Sequence, residues 1–195
     1  MAMPLLARNW TVERVHALPD DGNRYEVIDG ELFVTPAPRW RHQEAVGALY
    51  ALVRDYLKRE RIGHAFFAPA DVIFSPRRLV QPDLFVVPLV EGRRPDAFTD
   101  VGRLLLAVEV LSPGTARADR VAKRTLFRDR GVPEYWIVDL DARTFERCTP
   151  DDDRPEILVD QVVWRPAGAS SPLVVDVAAY FAMVLQSHTD EPGSA

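Results

Sequence analysis

The sequence predicts one domain of the α/β class, in its α+β form: a mixed sheet flanked by helices, with an antiparallel extension at its C-terminal side. Three observations predict it. Leu104-Leu105-Leu106-Ala107-Val108-Glu109-Val110-Leu111 is almost continuously apolar, the pattern of a strand covered on both faces. A basic helical stretch and then the strand-like Glu134-Tyr135-Trp136-Ile137-Val138 follow it, and a strand, helix, strand order makes a crossover between parallel strands. Beyond residue 143 the chain offers short strand-like runs and one last helix.

Taken in order, Asn9 or Thr11 can cap a short helix through Ala17, which ends at Leu18-Pro19. Arg24-Tyr25-Glu26-Val27-Ile28 and Glu31-Leu32-Phe33-Val34 flank Asp29-Gly30, the pair expected of a two-residue hairpin with positive φ at both positions. Glu26, Ile28, Glu31 and Phe33 cannot share a face with Val27 and Leu32, so one face carries acid and the other feeds the core. Pro36-Ala37-Pro38 stops the strand. A helix follows over residues 40–61, with Val46, Leu49, Tyr50, Val53 and Leu57 at helical spacing and Gly63 ending it. His64-Ala65-Phe66-Phe67 and Asp71-Val72-Ile73-Phe74 read as strands, and a loop with Arg77 and Arg78 leads to Pro82-Asp83. Residues 91–102 form a polar surface connection. Ser112-Pro113-Gly114-Thr115 turns into the helix holding Lys123, which Gly131-Val132-Pro133 closes. Residues 177–185 form a final helix, residues 1–186 one domain, and residues 187–195 a disordered tail.

Composition narrows the classes. The 195 residues are 47% hydrophobic and 27% charged, ordinary for a globular protein, and no apolar run approaches the roughly 18 residues of a membrane span. The N-terminus does not read as a signal peptide. One cysteine, Cys148, excludes an internal disulfide and a cysteine zinc site and suits a reducing cytoplasm, the expected location. The formal charge of −5 argues against a general nucleic-acid coat, yet the acidity is terminal: residues 1–138 hold 20 basic and 18 acidic side chains, residues 139–195 hold 4 and 11. The stretch 115–130 is locally cationic, with Arg117, Arg120, Lys123, Arg124, Arg128 and Arg130 against Asp119 and Asp129.

Two acids stand where apolar residues belong. Glu109 lies inside the apolar strand, where a lone carboxylate costs several kcal/mol unless paired, hydrogen-bonded or metal-bound. Asp83 follows Pro82, which can open a strand because it has no N–H to offer. Magnesium takes hard oxygen ligands and is often held by only one or two carboxylates with waters and phosphate. Asp83 and Glu109 supply such a pair, with the Val110 carbonyl one residue on, so Mg²⁺ or Mn²⁺ is the expected cofactor. Lys123 adds an ammonium. The chain has 22 arginines and only two lysines, Lys58 and Lys123, so a lysine beside the acidic strand points to a need for a compact amine. The plainer alternative is that Lys123 pairs with Asp119 one turn earlier.

Gln81-Pro82-Asp83, Val108-Glu109-Val110-Leu111-Ser112-Pro113 and the flanking segments, the hairpin 24–32 and residues 131–139, resemble the PD-(D/E)xK nuclease superfamily. More narrowly, their order resembles its bacterial branch of putative restriction endonucleases, over residues 10–185. The resemblance implies a restriction-endonuclease-like core, a mixed sheet of four or five strands flanked by helices, with Asp83 and Glu109 as divalent-metal ligands. Leu111 stands where the usual catalytic lysine would be, and Lys123 is the candidate to replace it. Glu31 resembles the further acid that many such nucleases present from an N-terminal element.

The expectation is therefore a metal-dependent endonuclease of DNA. Asp83, Glu109, Lys123 and Glu31 are its catalytic residues, and Asp83, Glu109 and Val110 its metal ligands. Arg77, Arg78, Arg120 and Arg124 contact the nucleic-acid backbone. A homodimer is the expectation by base rate, with no membrane partner and no organic cofactor. The alternative is a catalytically silent nuclease fold acting as a binding or assembly module. His42, Glu44 and Asp71 are weaker candidates. Neither a serine elbow nor a phosphate-cradling Gly-Lys loop occurs in the sequence.

Overall fold

A computed structural model describes residues 9–98 and 102–185. The expected mobile start and disordered tail, and part of the connection 91–102, lie outside the described residues. The elements run α1 (Val12–His16), β1 (Arg24–Ile28), β2 (Glu31–Thr35), α2 (Trp40–Glu60), β3 (Gly63–Phe67), β4 (Val72–Ser75), β5 (Arg78–Val80), β6 (Leu84–Pro88), β7 (Leu106–Val110), a π-helical segment (Ala118–Lys123), α3 (Arg124–Asp129), β8 (Tyr135–Asp139), β9 (Thr144–Cys148), β10 (Glu156–Leu158), β11 (Gln161–Trp164), β12 (Leu173–Asp176) and α4 (Val177–Leu185).

The main sheet has six strands in the order β10-β9-β8-β7-β6-β3, against the four or five expected. All neighbours are antiparallel except β7 and β8, which are parallel as the crossover requires. The period of two sends alternate residues of its central strands into two cores. Leu84, Val86, Leu106, Val108, Val110, Trp136 and Val138 pack beneath α2, α4 and the β11–β12 ribbon. Phe85, Val87, Ala107, Tyr135 and Ile137 pack on the other face against Leu126 and Phe127 of α3 and Ile28, Val72 and Val80. Those last three belong to a second sheet, β2-β1-β5-β4, whose far side closes over Val15 of α1. Both faces of the β1–β2 hairpin are therefore covered. The acid-bearing face, carrying Glu26, Ile28 and Phe33, looks into the molecule rather than into water.

Local signals explain most boundaries. Thr11 caps α1, its hydroxyl accepting from the Arg14 amide. Asp29 and Gly30 sit at φ 52° and 84°, as the hairpin demands. Two expectations change. Helix α2 ends on Arg61, itself left-handed at φ 54°, and Gly63 instead opens β3. There a Cβ would come 2.7 Å from the Val87 carbonyl oxygen, so strand packing, not helix termination, requires the glycine. Arg77 and Arg78 are not a loop before Pro82, because Arg78 begins β5 in a hairpin with β4.

Candidate active site

Strands β6 and β7 pair with Leu84 opposite Val108. One step further in the same register Asp83 stands opposite Glu109, so both acids arise at one end of the sheet, on the face that carries Phe85 and Ala107. Both are buried. The sequence put an acid at each of two strands, and the fold makes those strands neighbours.

Asp83 is held from three sides. The Val110 amide donates to Oδ2 at 2.9 Å, Arg24 Nη1 from β1 donates to Oδ1 at 2.8 Å, and His42 Nε2 from the first turns of α2 lies 2.9 Å from Oδ2. Burial raises the affinity of this carboxyl for a proton, but His42, Arg24 and the amide outweigh it and hold its pKa at about 2. An ionised carboxylate only accepts, so His42 presents its Nε2 proton to it.

Glu109 is held differently. Lys123 Nζ donates to its Oε1 at 2.8 Å and also meets Glu26 Oε2 at 2.9 Å and Asp119 Oδ1 at 3.4 Å. Lys123 is 3% exposed and its ammonium is kept charged well above the lysine range: burial opposes the charge, but Glu109, Glu26 and Asp119 together prevail. The pairing with Asp119 weighed from sequence is thus real, and it is the longest of three contacts. Three acids share one ammonium, so Glu109 is not fully neutralised. Burial, with Asp83, Asp119 and Glu26 nearby, pushes its pKa well above the carboxylate range in spite of Lys123.

The π-helical turn gives Asp119 and Lys123 their places. Both are buried, although they lie in the locally cationic stretch 115–130. Such turns insert extra backbone into a helix and recur at functional sites. Asp119 also shifts upward, chiefly by burial and against Lys123 and the Thr115 hydroxyl; neither of its oxygens makes a close hydrogen bond, Oδ1 having the 3.4 Å ion pair with Lys123.

The other expected site residues distribute as follows. Glu31 pairs across the hairpin with Ile28 and makes no contact with Lys123; Glu26, on the same face of the hairpin, takes that place, with the Gln81 amide donating to its other oxygen at 2.7 Å. Asp71 is bound by His16 and Gln81 outside the cluster, and Glu44 is exposed on α2. Arg78 pairs with Asp29 at 2.6 Å, and Arg77 donates to the Asp29 carbonyl at 3.0 Å. Arg120 bridges Asp139 and Glu146, and Arg124 donates to the Asp152 carbonyl. Each of these four arginines thus holds a contact within the fold.

Among the described residues no three His, Cys, Asp or Glu side chains converge as a ready metal set. Four buried carboxylates, Glu26, Asp83, Glu109 and Asp119, face two obligate cations, Arg24 and Lys123, and one histidine. That surplus of carboxyl groups over cations, the hard oxygen donors and the weakly held oxygens of Asp119 fit a divalent cation. A cleft of about 610 Å³ opens beside the cluster, with Arg24 and His42, the partners of Asp83, in its wall.

A mixed sheet carrying paired acids at one end of adjacent strands, with helices on its faces, defines a restriction-endonuclease-like domain. The chain belongs to the Uma2 family, described as putative restriction endonuclease, which it matches over residues 12–176. A similar solved structure is that of a putative nuclease belonging to DUF820 from Anabaena variabilis ATCC 29413. It is 21% identical, with a TM-score of 0.75, covering 90% of this chain and 99% of that one, and it shows the fold. Comparison with curated proteins gives no match.

Proposed function

We propose that the chain is a metal-dependent endonuclease that hydrolyses phosphodiester bonds of DNA. The observation that carries the reading is the buried cluster: four carboxylates with too few cations of their own, set at the ends of adjacent strands beside an arginine-lined cleft. Asp83, Glu109 and the Val110 carbonyl would hold Mg²⁺ or Mn²⁺. Bound there, such an ion supplies Lewis acidity, drawing charge from the phosphodiester and making water a better nucleophile at neutral pH.

The chain's own groups do the rest. Arg24, His42 and the Val110 amide keep Asp83 ionised and fixed in orientation. Lys123, aimed by Glu26 and Asp119, offers its ammonium to the charge that develops on phosphate during attack. It does so from the helix after β7, where Leu111 leaves the usual position empty of lysine. Glu26 fits the role of the additional acid better than Glu31, because it reaches Lys123.

A second reading is favoured by one observation: Lys123 already sits at the centre of three of the acids, as it would in a fold that keeps the constellation for stability alone. Incubation of supercoiled plasmid with Mg²⁺ or Mn²⁺ separates the two. The nuclease reading expects nicking by the native chain and none by Asp83→Asn or Lys123→Met. Nicking that survives both substitutions, or DNA binding with no metal-dependent nicking, contradicts it.

A further inference from the structure

Tyr135 opens β8 opposite Ala107 of β7, and its ring packs in the second core against Phe127, with ring centres 4.8 Å apart. Its hydroxyl leaves that apolar setting and donates to the backbone carbonyl of Asp119 at 3.1 Å, inside the π-helical segment. Burial, with Asp119 and Glu109 nearby, keeps the phenol protonated well above the tyrosine range, so it serves there as a donor. The segment is a short break in an α-helical stretch, with residues 116–117 before it and α3 after it in the α form. In an α-helix the carbonyl of residue i accepts from the amide of residue i+4, whereas in a π turn the ladder steps to i+5. A side chain that reaches into such a ladder distorts it locally, and Tyr135 reaches in at Asp119.

We infer that the Tyr135 hydroxyl fixes the π register of this turn, which makes Tyr135 the positioning residue that holds Lys123 and Asp119 inside the acidic cluster. For the proposed nuclease it is the group that aims Lys123, and in that respect the inference rests on the nuclease reading. In the π register Lys123 reaches Glu109 of β7 at 2.8 Å and Glu26 of β1 at 2.9 Å, with Asp119 of its own turn at 3.4 Å. Leu126 and Phe127 anchor α3 in the core, so a change of register falls on residues 118–123. Tightening that turn to 3.6 residues alters its rotation against α3 and swings Lys123 off the two acids on the strands.

Tyr180 supplies the control. It is as buried as Tyr135 and donates its hydroxyl to the Ala45 carbonyl of α2 at 2.9 Å, in the core on the opposite face of the main sheet.

The test uses the two lysines of the chain, Lys58, whose side chain is 62% exposed, and Lys123. Reductive methylation of the metal-free chain, read by peptide mass spectrometry, compares an open amine with a buried one in the same molecule. Native chain, Tyr135→Phe and Tyr180→Phe are compared. Each substitution keeps the ring and removes one hydroxyl, so both variants are expected to fold with a loss of about one hydrogen bond, which urea titration checks. The expected result is that Lys123 labels about tenfold or more faster in Tyr135→Phe than in the native chain, while Lys58 is unchanged and Tyr180→Phe keeps Lys123 protected. In plasmid nicking, Tyr135→Phe should lower the rate at saturating DNA about tenfold or more and leave the half-saturating DNA concentration within about threefold. Four labelling or folding results overturn the inference: a protected Lys123 in Tyr135→Phe, equal labelling in the two variants, a native Lys123 that labels as fast as Lys58, or a Tyr135→Phe chain that fails to fold where Tyr180→Phe folds. A released Lys123 with an unchanged nicking rate overturns it as well. Release of Lys123 in Tyr135→Phe by a chain that never nicks DNA with metal present sustains the inference and defeats the nuclease reading instead. Nicking by the native chain with Lys123 still protected in Tyr135→Phe does the reverse.

Discussion

Lys123 Nζ lies 2.8 Å from Glu109 Oε1, both side chains buried, and the same ammonium reaches Glu26 at 2.9 Å. One cation thus joins the central strand of the main sheet, the first hairpin and the π-helical turn. Lys123→Met should therefore destabilise the fold at neutral pH by about 3–5 kcal/mol, the usual cost of leaving buried charges without their partner. Urea titration measures it. Added Mg²⁺ should recover part of the loss, because it replaces positive charge among the same acids. A loss below about 1 kcal/mol, the range of surface pairs, would show the cluster to be solvated.

Glu109→Gln should separate stability from activity. Its carboxyl binds a proton more readily in the folded than in the unfolded chain, so folding takes up a proton and this residue's contribution falls as pH rises from the ordinary glutamate range upward. The glutamine variant, lacking that titration, should be at least as stable as the native chain at neutral pH and should not nick DNA. Thermal unfolding in chelator across the pH range checks the first part and plasmid nicking the second. A strongly destabilised variant would place Glu109 among purely structural pairs.

Asp83 should show the opposite sign. Its pKa is depressed from 3.8 to about 2, so its stabilisation is fully present above the unfolded value and is lost as pH falls from about 4 towards 2. The shift corresponds to on the order of 2 kcal/mol. The stability gap between native chain and Asp83→Asn, measured in chelator, should be constant near neutrality and narrow through that acid window. A gap that stays constant down to the acid limit would mean that Arg24 and His42 do not favour the ionised form.

Cys148 should be chemically silent. It is buried on β9, and burial pushes its thiol up to about 11, so almost no thiolate exists at neutral pH. Alkylation followed by mass spectrometry should modify it only after unfolding. Rapid labelling of the native chain would reveal an open path to β9.

Much of this site was legible in the sequence because its signals are local. Glu109 interrupts an apolar strand, Asp83 follows a proline, and Lys123 is one of two lysines among 22 arginines. The crossover forced β7 and β8 to be parallel, and Asp29-Gly30 forced the hairpin. The choice between Glu26 and Glu31 was not legible. The period of two puts both on one face of the hairpin, and which of them meets Lys123 depends on how the second sheet docks on the first, a tertiary fact. Arg24 was hidden for the same reason, and His42 stood only as a weaker candidate, since their shared partner is 59 and 41 residues away. The π-helical turn has no sequence period to betray it, so nothing in the locally cationic stretch marks Asp119 as buried.

The claim beneath all of this is that Asp83 and Glu109 share one divalent cation. Calorimetric titration of the metal-free chain with Mn²⁺ tests it most directly. The account predicts a saturable heat for the native chain and for Glu31→Gln, and none for Asp83→Asn or Glu109→Gln. A folded native chain that takes up no Mn²⁺, or acid-site variants that bind it as the native chain does, would contradict it.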